Sequence, residues 1–171
     1  MFKKIMVCLD GSDLAAQILP YAIEQASRFD SNIVLFRVFN ESSLTSIGIP
    51  GFPAVPLETP GGPKQTQKEE NESISYLKVV ADRIQNERAL KIECITKFGV
   101  PGQAIVQYAS ENGVDLITIA THGRSGLGRA IIGSVADYVV RQSGIPILLI
   151  RPIKIEKGKA TRILDNSNMN A

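Results

Sequence analysis

Glycine residues recur through one stretch of the chain in a pattern that suits anion binding. The stretch covers residues 120–134 and has glycines at positions 123, 126, 128 and 133. Glycine lets backbone amides turn toward an anion with no Cβ in the way. Because a helix-like pattern begins at Ser134, the free amides and partial positive charge of a helix start lie at the end of this stretch. Phosphate is therefore the ligand that the stretch favours.

The same stretch lacks the motifs of common nucleotide-hydrolysing and acyl-transferring enzymes. No Gly-x-x-x-x-Gly-Lys-Ser/Thr sequence occurs, and Gly126-Leu127-Gly128 lacks the third glycine of a dinucleotide fingerprint. A nucleophile elbow requires Gly-x-Ser-x-Gly with a histidine later in the chain, whereas the single histidine, His122, precedes Ser125. We therefore predict no catalytic residue, and we expect His122 to orient the backbone or to contact a ligand passively.

Several polar side chains near this stretch have both a structural and a functional interpretation. Asp10, which follows the first apolar run, suits either ligand binding or the capping of the next helix. Ser134 with Asp137 three residues later resembles a capping box, and such a hydroxyl can also meet a ligand. Arg124 is the favoured phosphate partner because a guanidinium matches phosphate oxygens bidentately, whereas Arg129 suits phosphate or solvent equally.

Five short apolar runs alternate with helix-like segments, which predicts an α/β fold with a parallel sheet covered on both faces. The runs are residues 5–9, 33–39, 90–96, 116–120 and 145–150. The third run alternates apolar and polar residues, as a half-exposed edge strand does. With right-handed crossovers we expect a doubly wound, Rossmann-like five-stranded sheet of order 3-2-1-4-5. The first helix is expected to contain Pro20, an unusual interior residue.

The expected strand order itself indicates where a ligand would bind. Strands 1 and 4 lie side by side where the winding reverses, and ligands of such sheets bind at that switch point. The loops that begin there are Asp10-Gly11-Ser12 and Thr121-His122-Gly123. Topology and the glycine stretch therefore predict the same site.

Composition restricts the class of protein. The 171 residues suit one domain, and no apolar run approaches the roughly 20 residues of a membrane span. Cys8 and Cys94 lie in predicted strands, which suits buried thiols in a reducing compartment. The first residues leave no room for a signal peptide, so we expect a cytoplasmic location. The net charge of +2 comes entirely from residues 153–171, and no basic face indicates nucleic-acid binding.

Two segments fall outside the periodic pattern. Residues 41–66 carry five prolines and four glycines, which predicts a long mobile loop after the second strand. Residues 153–171 have no periodic apolar face and end in a polar run, which predicts a largely disordered tail. A single domain is therefore expected to span residues 1–152.

The glycine stretch resembles the ATP-binding branch of the universal stress protein family, whose pattern is Gly-x2-Gly-x9-Gly-Ser/Thr. Here Ala120-x2-Gly123-x9-Gly133-Ser134 has that spacing, with alanine in place of the first glycine. The resemblance covers about residues 1–152. It includes the opening run at 5–12, the Asp-Leu-Ile that begins at 115 and the closing run at 144–150.

This resemblance implies an adenine nucleotide alpha hydrolase-like fold that binds ATP with Mg²⁺ or Mn²⁺. Adenosine would lie against Cys8, Leu9, Asp10, Gly11 and Ser12, and adenine would contact the Val38 backbone. The ribose and phosphates would meet Ile119, Ala120, Thr121, His122, Gly123, Arg124 and Ser125. The terminal phosphates would meet Gly133, Ser134 and Val135, and the divalent cation would bridge them near Asp10.

The expected function is that of an ATP-binding regulatory protein of the stress response, a nucleotide-dependent switch that acts on a protein partner through a homodimer. The apolar strand at 145–150 lies at an edge that nothing else in the chain covers, so it would pair with a second copy, as the resemblance also implies. No nucleic acid or membrane partner is expected. Two alternatives remain open, a slow ATPase or adenylyl-transferring enzyme and a nucleotide-free protein-interaction dimer.

Overall fold

The computed structural model describes residues 1–39, 44–47, 55–58, 63–121 and 132–153. In chain order the elements are β1 Lys4–Cys8, α1 Asp13–Ala16, α2 Leu19–Phe29, β2 Asn32–Phe39, β3 Leu44–Ile47, β4 Val55–Glu58, α3 Pro63–Glu87, β5 Ile92–Phe98, α4 Pro101–Glu111, β6 Leu116–Ala120, α5 Ser134–Gln142 and β7 Ile147–Ile150. Five of the strands form a parallel sheet in the order β5-β2-β1-β6-β7. Counted along the chain, β1, β2, β5, β6 and β7 are strands 1 to 5 of this sheet. The predicted order 3-2-1-4-5 is therefore confirmed.

Two apolar cores lie on opposite faces of this sheet. One packs α2 and α3 against Ile5 and Val7 of β1, and the other packs α4 and α5 against Met6 of β1 and Phe36 of β2. All four of these side chains are fully or almost fully buried. Because successive strand residues point to opposite faces, a strand covered on both sides is apolar at nearly every position. This requirement explains the uninterrupted apolar runs in the sequence.

The two edge strands of the sheet differ in exposure. In β5 the side chains of Glu93, Lys97 and Phe98 are exposed while their neighbours are partly buried, which confirms the predicted half-exposed edge. The four apolar residues of β7 are all partly exposed. The β7 edge therefore presents apolar surface that the described part of the chain covers incompletely.

The helix expected around Pro20 is two helices. The first, α1, ends at Ala16, and α2 begins at Leu19, so that Pro20 lies in the first turn of α2. Proline is tolerated there because the first N–H groups of a helix have no intrahelical partner. The expectation of one helix with an interior proline was wrong, because the proline marks a second helix start.

The segment predicted as a loop, residues 41–66, contains regular structure. Strands β3 and β4 pair antiparallel as a separate two-stranded sheet, and α3 begins at Pro63. Pro56 of β4 lies opposite Ser46. Proline is accepted in such a ribbon because each strand is an edge with one unpaired side. The expectation of a continuous loop was wrong for these residues, and the remainder of the segment lies outside the described residues.

Asp115 joins the amino ends of β1 and β6. Its Oδ2 accepts hydrogen bonds from the backbone N–H groups of Lys3 at 2.8 Å and Lys4 at 2.9 Å. Its own N–H donates to the Lys4 carbonyl oxygen at 2.9 Å. This aspartate therefore fastens two central strands at the end of the sheet opposite their carboxyl ends.

The predicted C-terminal tail is described only at its first residue. Ile153 exchanges two hydrogen bonds with the Gln17 side chain, whereas residues 154–171 of the predicted tail lie outside the described residues.

Among the helices of the described ranges, none combines the length and the apolar character that crossing a membrane requires.

Candidate functional site

A cavity of about 500 Å³ lies at the carboxyl ends of β1, β2 and β6. Helix α3 forms its wall on one face of the sheet, and the starts of α4 and α5 form its wall on the other. The winding of the sheet reverses between β1 and β6, so this cavity occupies the topological switch point. The position predicted from strand order is the position of the cavity.

Ten of the sequence-predicted site residues line this cavity. They are Cys8, Leu9, Asp10, Val38, Ile119, Ala120, Thr121, Gly133, Ser134 and Val135. Gly11 and Ser12 are not among the lining residues, although they follow Asp10 directly. His122, Gly123, Arg124 and Ser125 lie outside the described residues, as does Arg129. The structure thus brings together residues from three strand ends and one helix start.

Helix α5 begins at the cavity with its first amides unoccupied by a capping side chain of its own. Its N-cap is Gly133, which has no side chain, and the first intrahelical bond runs from the Asp137 N–H to the Gly133 carbonyl oxygen at 2.9 Å. The N–H groups of Ser134, Val135 and Ala136 therefore have no partner within the helix. These three residues line the cavity, where such amides attract an anion.

The capping box expected from Ser134 and Asp137 is not formed. A capping box requires serine at the N-cap, whereas Ser134 is the first residue inside α5 and Gly133 holds the cap position. The glycine at the cap position has a steric reason. A Cβ at position 133 would lie 2.6 Å from the Thr121 carbonyl oxygen, so that only glycine fits where the helix start meets the end of β6.

Asp10 organises the turn between β1 and α1. Its Oδ1 accepts hydrogen bonds from the Ser12 N–H at 2.9 Å and from the Ser12 hydroxyl at 2.6 Å. The Ser12 Oγ in turn accepts from the Ala15 N–H at 3.1 Å, which makes Ser12 the N-cap of α1. The helix is therefore capped by Ser12, with Asp10 holding the cap. Asp10 also lines the cavity. The carboxylate that supports this turn would therefore lie beside a ligand bound in the cavity.

The wall between β2, β6 and α4 is apolar. It contains Cys8, Phe36, Val38, Ile105 and Ile119. Burial raises the pKa of the Cys8 thiol from 9.0 to about 12, so this sulfur stays protonated and acts as a small apolar group. A flat apolar ligand group suits this wall, and an anionic group suits the helix start.

Comparison with known proteins identifies the family. Residues 1–151 match the sequence model of the universal stress protein family. This chain belongs to the universal stress protein family.

Its curated relatives include universal stress protein MJ0531 of Methanocaldococcus jannaschii, which is 30% identical over 91% of this chain and 86% of the relative. Universal stress protein YxiE of Bacillus subtilis is 30% identical over 88% of this chain and 100% of the relative.

Solved structures share the fold of this universal stress protein. UspA from Lactobacillus plantarum has a TM-score of 0.71 at 22% identity, covering 88% of this chain and 98% of that one. A universal stress protein in complex with cAMP has a TM-score of 0.61 at 21% identity, covering 88% and 97%. A family protein from Arabidopsis thaliana with AMP bound has a TM-score of 0.59 at 18% identity, covering 88% and 92%. At these identities the likeness concerns the fold alone.

Several residues of the universal stress protein cavity were missed by the sequence analysis. Arg37 is the clearest, because it is a charged residue in the otherwise apolar run of β2, a signal that the sequence offered. Glu69, Glu72 and Ser73 reach the cavity from α3. No local pattern indicates them, because the direction of α3 over the strand ends depends on tertiary packing. The remaining lining residues that were missed are Ala15, Phe36, Phe39, Pro101, Ile105 and Ala136.

Proposed function

We propose that this universal stress protein is an ATP-binding regulatory protein whose nucleotide occupancy changes a surface recognised by a protein partner. The observation that carries the proposal is the cavity at the switch point, with the start of α5 at one wall and apolar side chains at another. Its volume of about 500 Å³ lies in the range of small-molecule sites. The family relatives that hold cAMP and AMP support an adenine nucleotide as the ligand.

The two kinds of wall suit the two ends of a nucleotide. The phosphates would accept hydrogen bonds from the amides of Ser134 and Val135, as anions do at helix starts. The base would lie against the apolar wall and contact the backbone of Val38 at the end of β2. The glycine-stretch residues 122–125 would complete the ribose and phosphate contacts.

A divalent cation, Mg²⁺ or Mn²⁺, would enter this site with the nucleotide. In the part of the chain that the structure describes, no group of three acidic, histidine or cysteine side chains is arranged to hold a metal. Phosphate oxygens and water would supply most of the ligands of this cation, and Asp10 is the cavity carboxylate proposed to assist. The cation would neutralise phosphate charge when bound.

The homodimer would form through β7. Its residues Ile147–Ile150 are apolar, belong to an edge strand and are only partly covered by the described chain. Pairing with β7 of a second copy would satisfy the free edge and bury the exposed apolar surface. An Ile147→Lys variant should dissociate this dimer in sedimentation velocity while keeping the nucleotide affinity. A dimer that survives the charge would contradict β7 pairing.

Ligand-dependent stability tests the proposed function. A ligand that binds the native state at 100 times its Kd raises the free energy of unfolding by about 2.7 kcal/mol. Urea denaturation with saturating ATP and Mg²⁺ should show an increase of this order, and mass spectrometry should find an adenine nucleotide in the purified protein. Unchanged stability would support a protein-interaction dimer without nucleotide. Rapid turnover of ATP would support an enzyme instead.

A further inference from the structure

The cavity carries more acidic than basic groups among its described residues. Asp10, Glu69 and Glu72 are lining carboxylates, and Arg37 is the single cation of the described lining. These carboxylates would repel a polyanionic ligand unless the Arg37 guanidinium lay close to the negative charge of the ligand. The position of the Arg37 guanidinium therefore bears on which ligand the cavity accepts.

The Arg37 side chain carries its guanidinium from the end of β2 to the end of β1. A Cβ built on Gly11 would lie 3.0 Å from Nη2 and 3.1 Å from both Cζ and Nη1. Three nearly equal distances mean that the guanidinium presents its flat face to Gly11. Gly11 lies in the turn that follows β1, so the guanidinium extends from β2 over the end of the neighbouring strand, on the α3 side of the cavity.

A second contact fixes the same guanidinium from the side of α3. Its Cζ lies 5.1 Å from the centroid of the Tyr76 ring, within the range of a cation–π interaction. Burial raises the pKa of the Tyr76 phenol, and the positive charge of Arg37 opposes that rise. Gly11 and Tyr76 therefore hold a charged group, with its donors directed by a planar fork, at the edge of the cavity.

We propose that Arg37 is a specificity-determining residue whose guanidinium binds a phosphate oxygen of the nucleotide and so selects phosphorylated ligands over the free nucleoside. Gly11 and Tyr76 are its positioning residues. The inference rests on the proposed function, since it concerns the same cavity and ligand class. It gives a role to Gly11, which is not itself a lining residue, because a Cβ there would press on the guanidinium and shift it by a few tenths of an ångström.

Ligands that differ in phosphate content test this selection. Affinities of wild type, Arg37→Gln and Arg37→Lys would be measured by calorimetry for ATP and AMP, and by competition against ATP for adenosine. A charged hydrogen bond is worth enough that Arg37→Gln should weaken ATP binding by about tenfold or more. Adenosine affinity should change less than about twofold, because adenosine has no phosphate. Arg37→Lys should recover part of the loss, since it keeps the charge without the fork.

Positioning is tested by a glycine pair matched in backbone strain. Gly11 has φ +85° and Gly113 has φ +63°, but a Cβ at Gly113 would meet nothing within 4 Å. Gly11→Ala should therefore reduce the ATP-to-adenosine affinity ratio, whereas Gly113→Ala should leave the ratio unchanged. Equal ratios in the two variants would contradict the positioning role of Gly11.

A pair at position 76 offers a second route if Gly11→Ala fails to fold. Tyr76→Phe keeps the ring and should keep the ratio, whereas Tyr76→Leu removes the cation–π contact and should lower it about two- to fivefold. In Arg37→Gln the pKa of the Tyr76 phenol should rise above its wild-type value in an absorbance titration.

The outcomes separate the two proposals. If wild type binds none of the three ligands, the proposed function is wrong. If wild type binds ATP and Arg37→Gln binds it equally well, only the inference about Arg37 is wrong. An equal loss of adenosine and ATP affinity in Arg37→Gln would also overturn it, because that result would place Arg37 against the nucleoside.

Discussion

The N–H of Gly133 donates a 2.7 Å hydrogen bond to the carbonyl oxygen of Thr121, which joins the start of α5 to the end of β6. This bond holds the first amides of the helix at the cavity wall, next to the strand end that borders the switch point. It also leaves no space for a Cβ at position 133. The proposed phosphate site thus depends on one close backbone approach.

Replacement of Gly133 by valine should abolish nucleotide binding while the dimer persists. The new Cβ would lie 2.6 Å from the Thr121 carbonyl oxygen, so the helix start must move away from the strand end. Calorimetry with ATP and sedimentation velocity would measure the two properties, with Gly113→Ala as a control at a glycine whose Cβ would meet nothing within 4 Å. Wild-type ATP affinity in the valine variant would show that the amides of α5 do not bind the ligand.

Asp10 should be needed for nucleotide binding beyond its support of the helix cap. Asp10→Ala removes the acceptor of both Ser12 hydrogen bonds and is expected to abolish ATP binding. Ser12→Ala removes the helix cap and the hydroxyl bond to Asp10 but keeps the Asp10 carboxylate, and it should lower the free energy of unfolding by about 0.5–2 kcal/mol. Urea denaturation and calorimetry on both variants separate the effects. If Asp10→Ala keeps full ATP affinity, Asp10 serves only the turn.

Asp115 should contribute stability and leave the ligand site unaffected. Asp115→Ala removes the acceptor of the Lys3 and Lys4 N–H groups, and we expect a loss of about 1–3 kcal/mol in the free energy of unfolding. Glu24→Ala, which breaks an exposed ion pair with Arg28, is the control and should lose less than about 1 kcal/mol. ATP affinity should be unchanged in both, because Asp115 lies at the opposite end of the sheet. A large affinity loss in Asp115→Ala would contradict this separation.

The Cys8 thiol should make the protein less stable in alkaline solution. Its pKa is raised in the folded state, so the protonated thiol favours folding below pH 9.0, and this contribution is lost as the pH rises toward about 12. Cys8→Ala removes the titration, so its stability should fall less steeply than that of wild type across this range. Parallel urea denaturation of the two proteins at several pH values measures the difference. Equal slopes would show that Cys8 is accessible to solvent.

Patterns local to a few residues were enough to predict the sheet. The run at Leu116–Ala120 is apolar at each position except Thr118, whose hydroxyl donates to the Met6 carbonyl oxygen at 3.1 Å, and the strand is buried on both faces. The alternation of polar and apolar residues in β5 indicated an edge strand, and together with right-handed crossovers this predicted the observed strand order. The helix start at Ser134 was also predicted, because glycine before a periodic run is a local signal.

Residues whose partners are distant in sequence could not be placed in this way. Pro20 is compatible with a kinked helix or with a new helix start, and the structure has the new helix start. Pro56 discourages a strand by itself, yet β4 forms because Leu44–Ile47 pairs with it. Propensity describes one segment at a time, so it cannot include a partner strand.

The sequence by itself determined the parallel sheet, the switch point and the glycine before α5, because each follows from the period or spacing of neighbouring residues. Tertiary structure alone decided that Gly11, Arg37 and Tyr76 meet at the cavity edge and that α3 supplies one of its walls. These contacts join separate elements, and their geometry depends on how the helices pack across the strand ends. A side chain long enough to reach the next strand has a position that no local pattern specifies.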